Sequence, residues 1–103
     1  MSVLLNFAIF PTDKGISVSK YVSKVIDMIR NTGFDYKLTA MGTIIETNEL
    51  DEALDIINKA YKELEPVSER IYCSATIDIQ KNKSNRISGK IKSIEEKIGK
   101  VNL

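Results

Sequence analysis

The chain has 103 residues, with 15 basic and 14 acidic side chains, one cysteine and no histidine or tryptophan. That length suits a single domain whose core is only just sufficient, so burial against a partner would help it. The missing histidine excludes Ser-His-Asp and Cys-His catalysis and imidazole metal clusters; the lone Cys73 excludes an internal disulfide or a four-cysteine zinc site and fits a reducing compartment.

In chain order, Val3 to Phe10 is apolar at nearly every position, broken by Asn6 and stopped by Pro11, as in a strand covered on both faces. Pro11 to Gly15 reads as a loop, and Ser17 as the N-cap of a helix. On that helix Val18, Tyr21, Val22, Val25, Ile26 and Ile29 make one apolar face, and Gly33 follows as a left-handed stop. Tyr36 to Met41 and Thr43 to Thr47 are short β-prone runs around Gly42, whose tolerance of positive φ suits a tight hairpin or a bulge. Asn48 is expected to cap a second helix with a stripe of Leu50, Ala53, Leu54, Ile57, Ala60, Tyr61 and Leu64, closed by Pro66. From Arg70 to Gln80 the residues alternate. Ile71, Cys73, Ala75, Ile77 and Ile79 form the apolar parity of a half-buried strand, and Tyr72, Ser74, Thr76, Asp78 and Gln80 the polar one. After a polar linker, Ile87, Ile91, Ile94, Ile98 and Val101 give the narrow seam of a helix over residues 86–101.

The order β-α-β-β-α-β is the ferredoxin-like α+β plan: a four-stranded antiparallel sheet with two helices on one face, plus a C-terminal helix. A single domain is expected over 1–103, with its core in 1–80 and a packing helix at 86–101. The first strand is apolar on both parities, with Val3, Leu5, Phe7 and Ile9 on one and Leu4, Ala8 and Phe10 on the other. The face opposite the helices is therefore expected to meet another subunit. Charge is split along the chain: seven basic residues against two acidic ones from Lys81 onward give that end about +5 and the rest about −4. Lysines without interleaved aromatics do not make a nucleic-acid surface, and no run approaches the roughly 20 apolar residues of a membrane span. The Met1 to Phe10 start has neither a basic leader nor a cleavage site. A cytoplasmic homo-oligomer without nucleic-acid or membrane partners is the expectation.

Of the carboxylates, Asp78 is expected to pair with a basic residue across the sheet, while Glu46 is more evenly poised between such pairing and a role at a site. Cys73, on the apolar parity, should be a small buried hydrophobe. Tyr21 and Tyr61 lie on core stripes, whereas Tyr72 or Tyr36 could project onto the uncovered sheet face.

The runs Ile16-Ser17-Val18-Ser19-Lys20-Tyr21-Val22, Gly33-Phe34-Asp35-Tyr36-Lys37-Leu38 and Met41-Gly42-Thr43-Ile44-Ile45-Glu46 together resemble the small thiamine-binding proteins long classed as a domain of unknown function. The resemblance spans about residues 3 to 80. Ala40, Thr47 and Tyr61 depart from it, standing where that family usually has Pro, Gly and often His. It implies a ferredoxin-like subunit that dimerises through its sheet, often assembling to a tetramer, with thiamine or its hydroxymethylpyrimidine part bound unchanged at or near a subunit interface. It also implies no further cofactor. By position, Ser17, Ser19 and Tyr21 match the helix-start motif, and Met41, Gly42, Thr43 and Glu46 the hairpin motif. A carboxylate at Glu46 could accept hydrogen bonds from an aminopyrimidine or face a thiazolium, and Met41 could give an apolar wall. Thr43 and Glu46 have opposite parity, so they share a pocket only if Gly42 marks a bulge. The expected function is non-enzymatic ligand binding; the alternative is a structural or regulatory interaction module without a small-molecule ligand.

Overall fold

In the computed structural model, which describes residues 1–103, the near-continuous apolar first run becomes β1 (Ser2–Pro11), an inner strand of the sheet. There follow α1 (Ser19–Arg30), β2 (Asp35–Leu38), β3 (Thr43–Thr47), α2 (Leu50–Leu64), β4 (Ile71–Gln80) and α3 (Arg86–Ile98). The sheet order is β2-β3-β1-β4 and every neighbouring pair is antiparallel, the ferredoxin-like α+β fold with an added C-terminal helix.

The core lies between the sheet and α1 and α2. Val3, Leu5, Phe7 and Ile9 of β1, with Ile45 of β3, meet Val25 and Ile29 of α1 and Ala53, Ile56, Ala60 and Leu64 of α2, all buried. The small residues Ala53 and Ala60 let α2 sit close to β1. Deleting a methyl-rich side chain such as Leu5 from this interior would cost about 2–5 kcal/mol.

Local chemistry moves several expected boundaries. Ser17 is not the cap of α1: it lies exposed in the loop, and the N-cap is Val18, whose carbonyl accepts the N–H groups of Tyr21 at 2.9 Å and Val22 at 3.0 Å. Asn48 does not cap α2; Glu49 holds that position, and the Glu52 carboxylate accepts the backbone N–H groups of Asn48 and Glu49 at 3.1 and 2.8 Å. β2 ends at Leu38 rather than Met41. The Thr39 hydroxyl accepts from the N–H groups of Met41 and Gly42 and donates to the Gly42 carbonyl at 2.7 Å, folding residues 39–42 into a turn that competes with the ladder. On the other side of the molecule, the Asp13 carboxylate accepts the Ser68 hydroxyl and the Glu69 N–H, which tie the β1–α1 loop to the α2–β4 loop and hold Asp13 below the usual carboxylate range.

Two expectations about coverage change as well. The face opposite α1 and α2 is only partly open: α3 lies against β2 and β3, and Leu4, Ala8 and Phe10 of β1 are half-buried. β4 is not half-buried: only Ile71 is partly covered, and the other nine residues are exposed. Cys73, expected inside, is exposed too, although its apolar surroundings push its thiol pKa up.

Candidate functional site

Pairing of Phe7 with Thr43, directly after the Thr39–Gly42 turn, places the hairpin tip over the C-terminal half of β1, opposite the start of α1. Gly42 makes this approach possible. Its φ is not positive, so conformational freedom is not what the position requires; a Cβ there would stand 3.0 Å from the Phe7 carbonyl oxygen and 3.2 Å from Asn6 Oδ1. Between the turn, β1 and α1 lies a cavity of about 440 Å³. Phe7, Val22, Val25, Ile26, Leu38 and Met41 supply its apolar wall, and Ser19, Thr39 and Thr43 are its hydroxyl-bearing residues. No charged side chain lines it. Such a site suits a flat, largely apolar ligand oriented by a few hydrogen bonds, and its size falls in the usual range for small molecules of roughly 300–1,000 Å³.

Four of the seven residues expected at a site therefore meet here: Ser19 from the helix start, and Met41, Gly42 and Thr43 from the hairpin. Met41 is almost fully exposed at the turn, whereas Thr43 is buried. Ser17 is outside the cavity. Tyr21 packs partly against the core, with Lys20 Nζ 5.8 Å from its ring centroid. In the sequence Val22, Ile26 and Leu38 are indistinguishable from helix-face and strand residues; no motif separates an apolar cavity wall from an apolar core stripe.

Glu46 lies on the opposite face of the sheet. β3 runs without a bulge, Thr43 pairing with Phe7 and Glu46 with Leu4, so the parity difference separates the two residues. The Glu46 carboxylate is already engaged: it accepts the Ser2 hydroxyl at 2.5 Å and the backbone N–H groups of Arg86 at 2.8 Å and Ile87 at 3.3 Å. It thus caps α3 from another element, where the orphan N–H groups of a helix start attract negative charge. The Arg86 side chain, 11 % exposed, completes the joint by donating to the Ser2 hydroxyl and carbonyl, the Asp78 carbonyl and, at 3.1 Å, Asp78 Oδ2. Asp78 is paired, as expected, but with the head of α3 and not with a cross-strand base. Tyr72 is the tyrosine on the open face, its ring centroid 5.6 Å from that of Phe10; Tyr36, opposite Ile45, is on the helix side.

Residues 5–95 match the family profile described as thiamine-binding protein. A UPF0045 protein of Methanocaldococcus jannaschii is 37 % identical over 94 residues, covering 91 % of this chain and 93 % of that one. A crystal structure of a hypothetical protein from that organism superposes with a TM-score of 0.81 at 37 % identity, over 92 % of this chain and 97 % of the other. A Thermotoga maritima structure described as a putative thiamine biosynthesis/salvage protein shares the fold, with a TM-score of 0.78 at 19 % identity over 91 % and 99 % of the two chains.

Proposed function

This chain belongs to the thiamine-binding protein family, and from that premise we propose that it binds thiamine or its hydroxymethylpyrimidine part, without chemical change, in the cavity beneath the β2–β3 turn. The observation that carries the reading is the meeting of Ser19 with Met41, Gly42 and Thr43, from two segments about 20 residues apart, around one apolar space. A neutral aminopyrimidine suits that lining: its ring is flat and apolar on both faces, and its edge nitrogens can use hydroxyl partners. Leu38 and Met41, largely exposed at the rim, are surfaces a neighbouring subunit can cover. We assign self-association in part to the open sheet face and to α3, whose Ile94 and Ile98 project from the helix 38 % and 73 % exposed. Glu46 is assigned to holding α3, not to the ligand.

Calorimetric titration of the cytoplasmic-type, reduced protein with thiamine and with hydroxymethylpyrimidine tests this. Saturable heat is expected, and Thr43→Val or Ser19→Ala should weaken it about 2- to 10-fold, the worth of one neutral hydrogen bond. Absence of heat at millimolar ligand, on folded protein, would remove the ligand and leave the interaction-module reading, which the bare β4 strand favours.

A further inference from the structure

α1 starts without a side-chain cap. No acidic residue stands in its first turn, and the N–H groups of Ser19 and Lys20 have no acceptor within the chain. They are among the donors that every helix start leaves over, and they carry the positive end of the helix dipole. Lys20 adds a formal positive charge to the same turn, where it opposes the dipole instead of offsetting it. The carboxylates that could answer this charge face elsewhere. Asp27 lies eight residues further on, about 12 Å along the axis, and pairs with Arg30. Asp13 in the preceding loop accepts from Ser68 and Glu69.

This helix start borders the cavity beneath the β2–β3 turn, since Val18 and Ser19 both line it. Across that space stands an independent sign of a ligand. Thr43 is only 5 % exposed, yet its hydroxyl makes no hydrogen bond to the protein. Every fully enclosed side-chain polar atom in the molecule has a partner, so the Thr43 oxygen opens on the cavity that its residue lines. A hydroxyl so deeply set calls for a hydrogen-bonding partner.

On the premise of the ligand reading above, we infer that the preferred occupant of the cavity is a phosphate monoester of the pyrimidine alcohol or of thiamine. Its phosphoryl oxygens accept from the Ser19 and Lys20 N–H groups and the Ser19 hydroxyl, and its ester oxygen accepts from Thr43. The wall carries no charged side chain, so the amides, the dipole and Lys20 supply the attraction, and the apolar surroundings strengthen it. The ring keeps the wall of Val22, Val25, Ile26 and Met41. Unesterified thiamine brings only a cation to this positive turn, whereas its ester brings an anion of the matching sign.

The test is calorimetric titration of the full chain with hydroxymethylpyrimidine, hydroxymethylpyrimidine phosphate, thiamine and thiamine monophosphate. An ester is expected to bind about 10- to 100-fold tighter than its alcohol, the worth of a hydrogen bond to a charged group, and the gap should narrow in concentrated sodium chloride. The pair with the larger gap identifies which ester the cavity selects. Ser19→Asp sets a carboxylate where the phosphate would lie while suiting a helix start, so it should bring the ester-to-alcohol preference to unity or below. Ser19→Asn, neutral and of the same shape, should keep a preference for the ester. Affinities within about 3-fold for both pairs in the wild type, or a preference that survives Ser19→Asp, would overturn the proposal and leave the ligand reading standing. No heat from any of the four would remove both.

Discussion

At Gly42 a single hydrogen in place of a methyl group decides how closely the hairpin can lie on β1. Alanine there would press on a backbone carbonyl at 3.0 Å, and the neighbour is not a flexible side chain that can swing away. Gly42→Ala is therefore expected to destabilise the protein by about 1–3 kcal/mol, as over-packing does. Urea unfolding would show this, and a change under 0.5 kcal/mol, on the scale of an ordinary surface substitution, would contradict it. The importance of this glycine was legible in the sequence but its reason was not. Positive φ is a property of the local chain, whereas contact with Phe7 depends on a partner 35 positions away that no local pattern names. Glu46 misled for a related cause. Its place in a motif was readable, but the two backbone donors that occupy it come from Arg86 and Ile87, the head of a helix whose docking site the pattern leaves open.

Among the elements, those with a strong period were readable nearly to the residue. α2 was legible from its helical spacing, β1 from a near-continuous apolar run and β3 from a short β-prone run after Gly42, because these segments supply the core. β4 shows where periodicity stops being informative: its alternation is clean, yet the apolar side has no lid within the chain, since pattern records which residues share a face and not what covers them. α3 is the element held most by polar contacts, with no buried residue of its own. Arg86→Met would remove its side-chain donors to Ser2 and Asp78 while keeping length and helix propensity. Hydrogen bonds from a charged group are worth about 2 kcal/mol, so the α3 amides should exchange about thirtyfold faster. Exchange in α1 and α2 should stay as it is; equal acceleration in all three helices would mean that Arg86 supports the whole fold instead.

For the molecule as a whole, the eleven-residue core draws on β1, β3, α1 and α2 and on nothing beyond Leu64. A chain ending at Lys83 is accordingly expected to unfold in one cooperative urea transition at reduced stability, while losing the association assigned to α3. A broad, non-cooperative transition would show that α3 is part of the folding unit. Absence of any helix long and apolar enough to cross a membrane is consistent with this compact plan. The joint at the head of α3 also orders events in time. Its acceptors come from Ser2, Glu46 and Asp78, three strands that lie side by side only after the sheet is in register, and the Ser2–Arg86 contacts close a separation of 84 residues. Closing so long a loop before the sheet exists would forfeit chain entropy with no site to bind. The C-terminal helix thus docks last, and its arrival reports that β1 has found both of its neighbours.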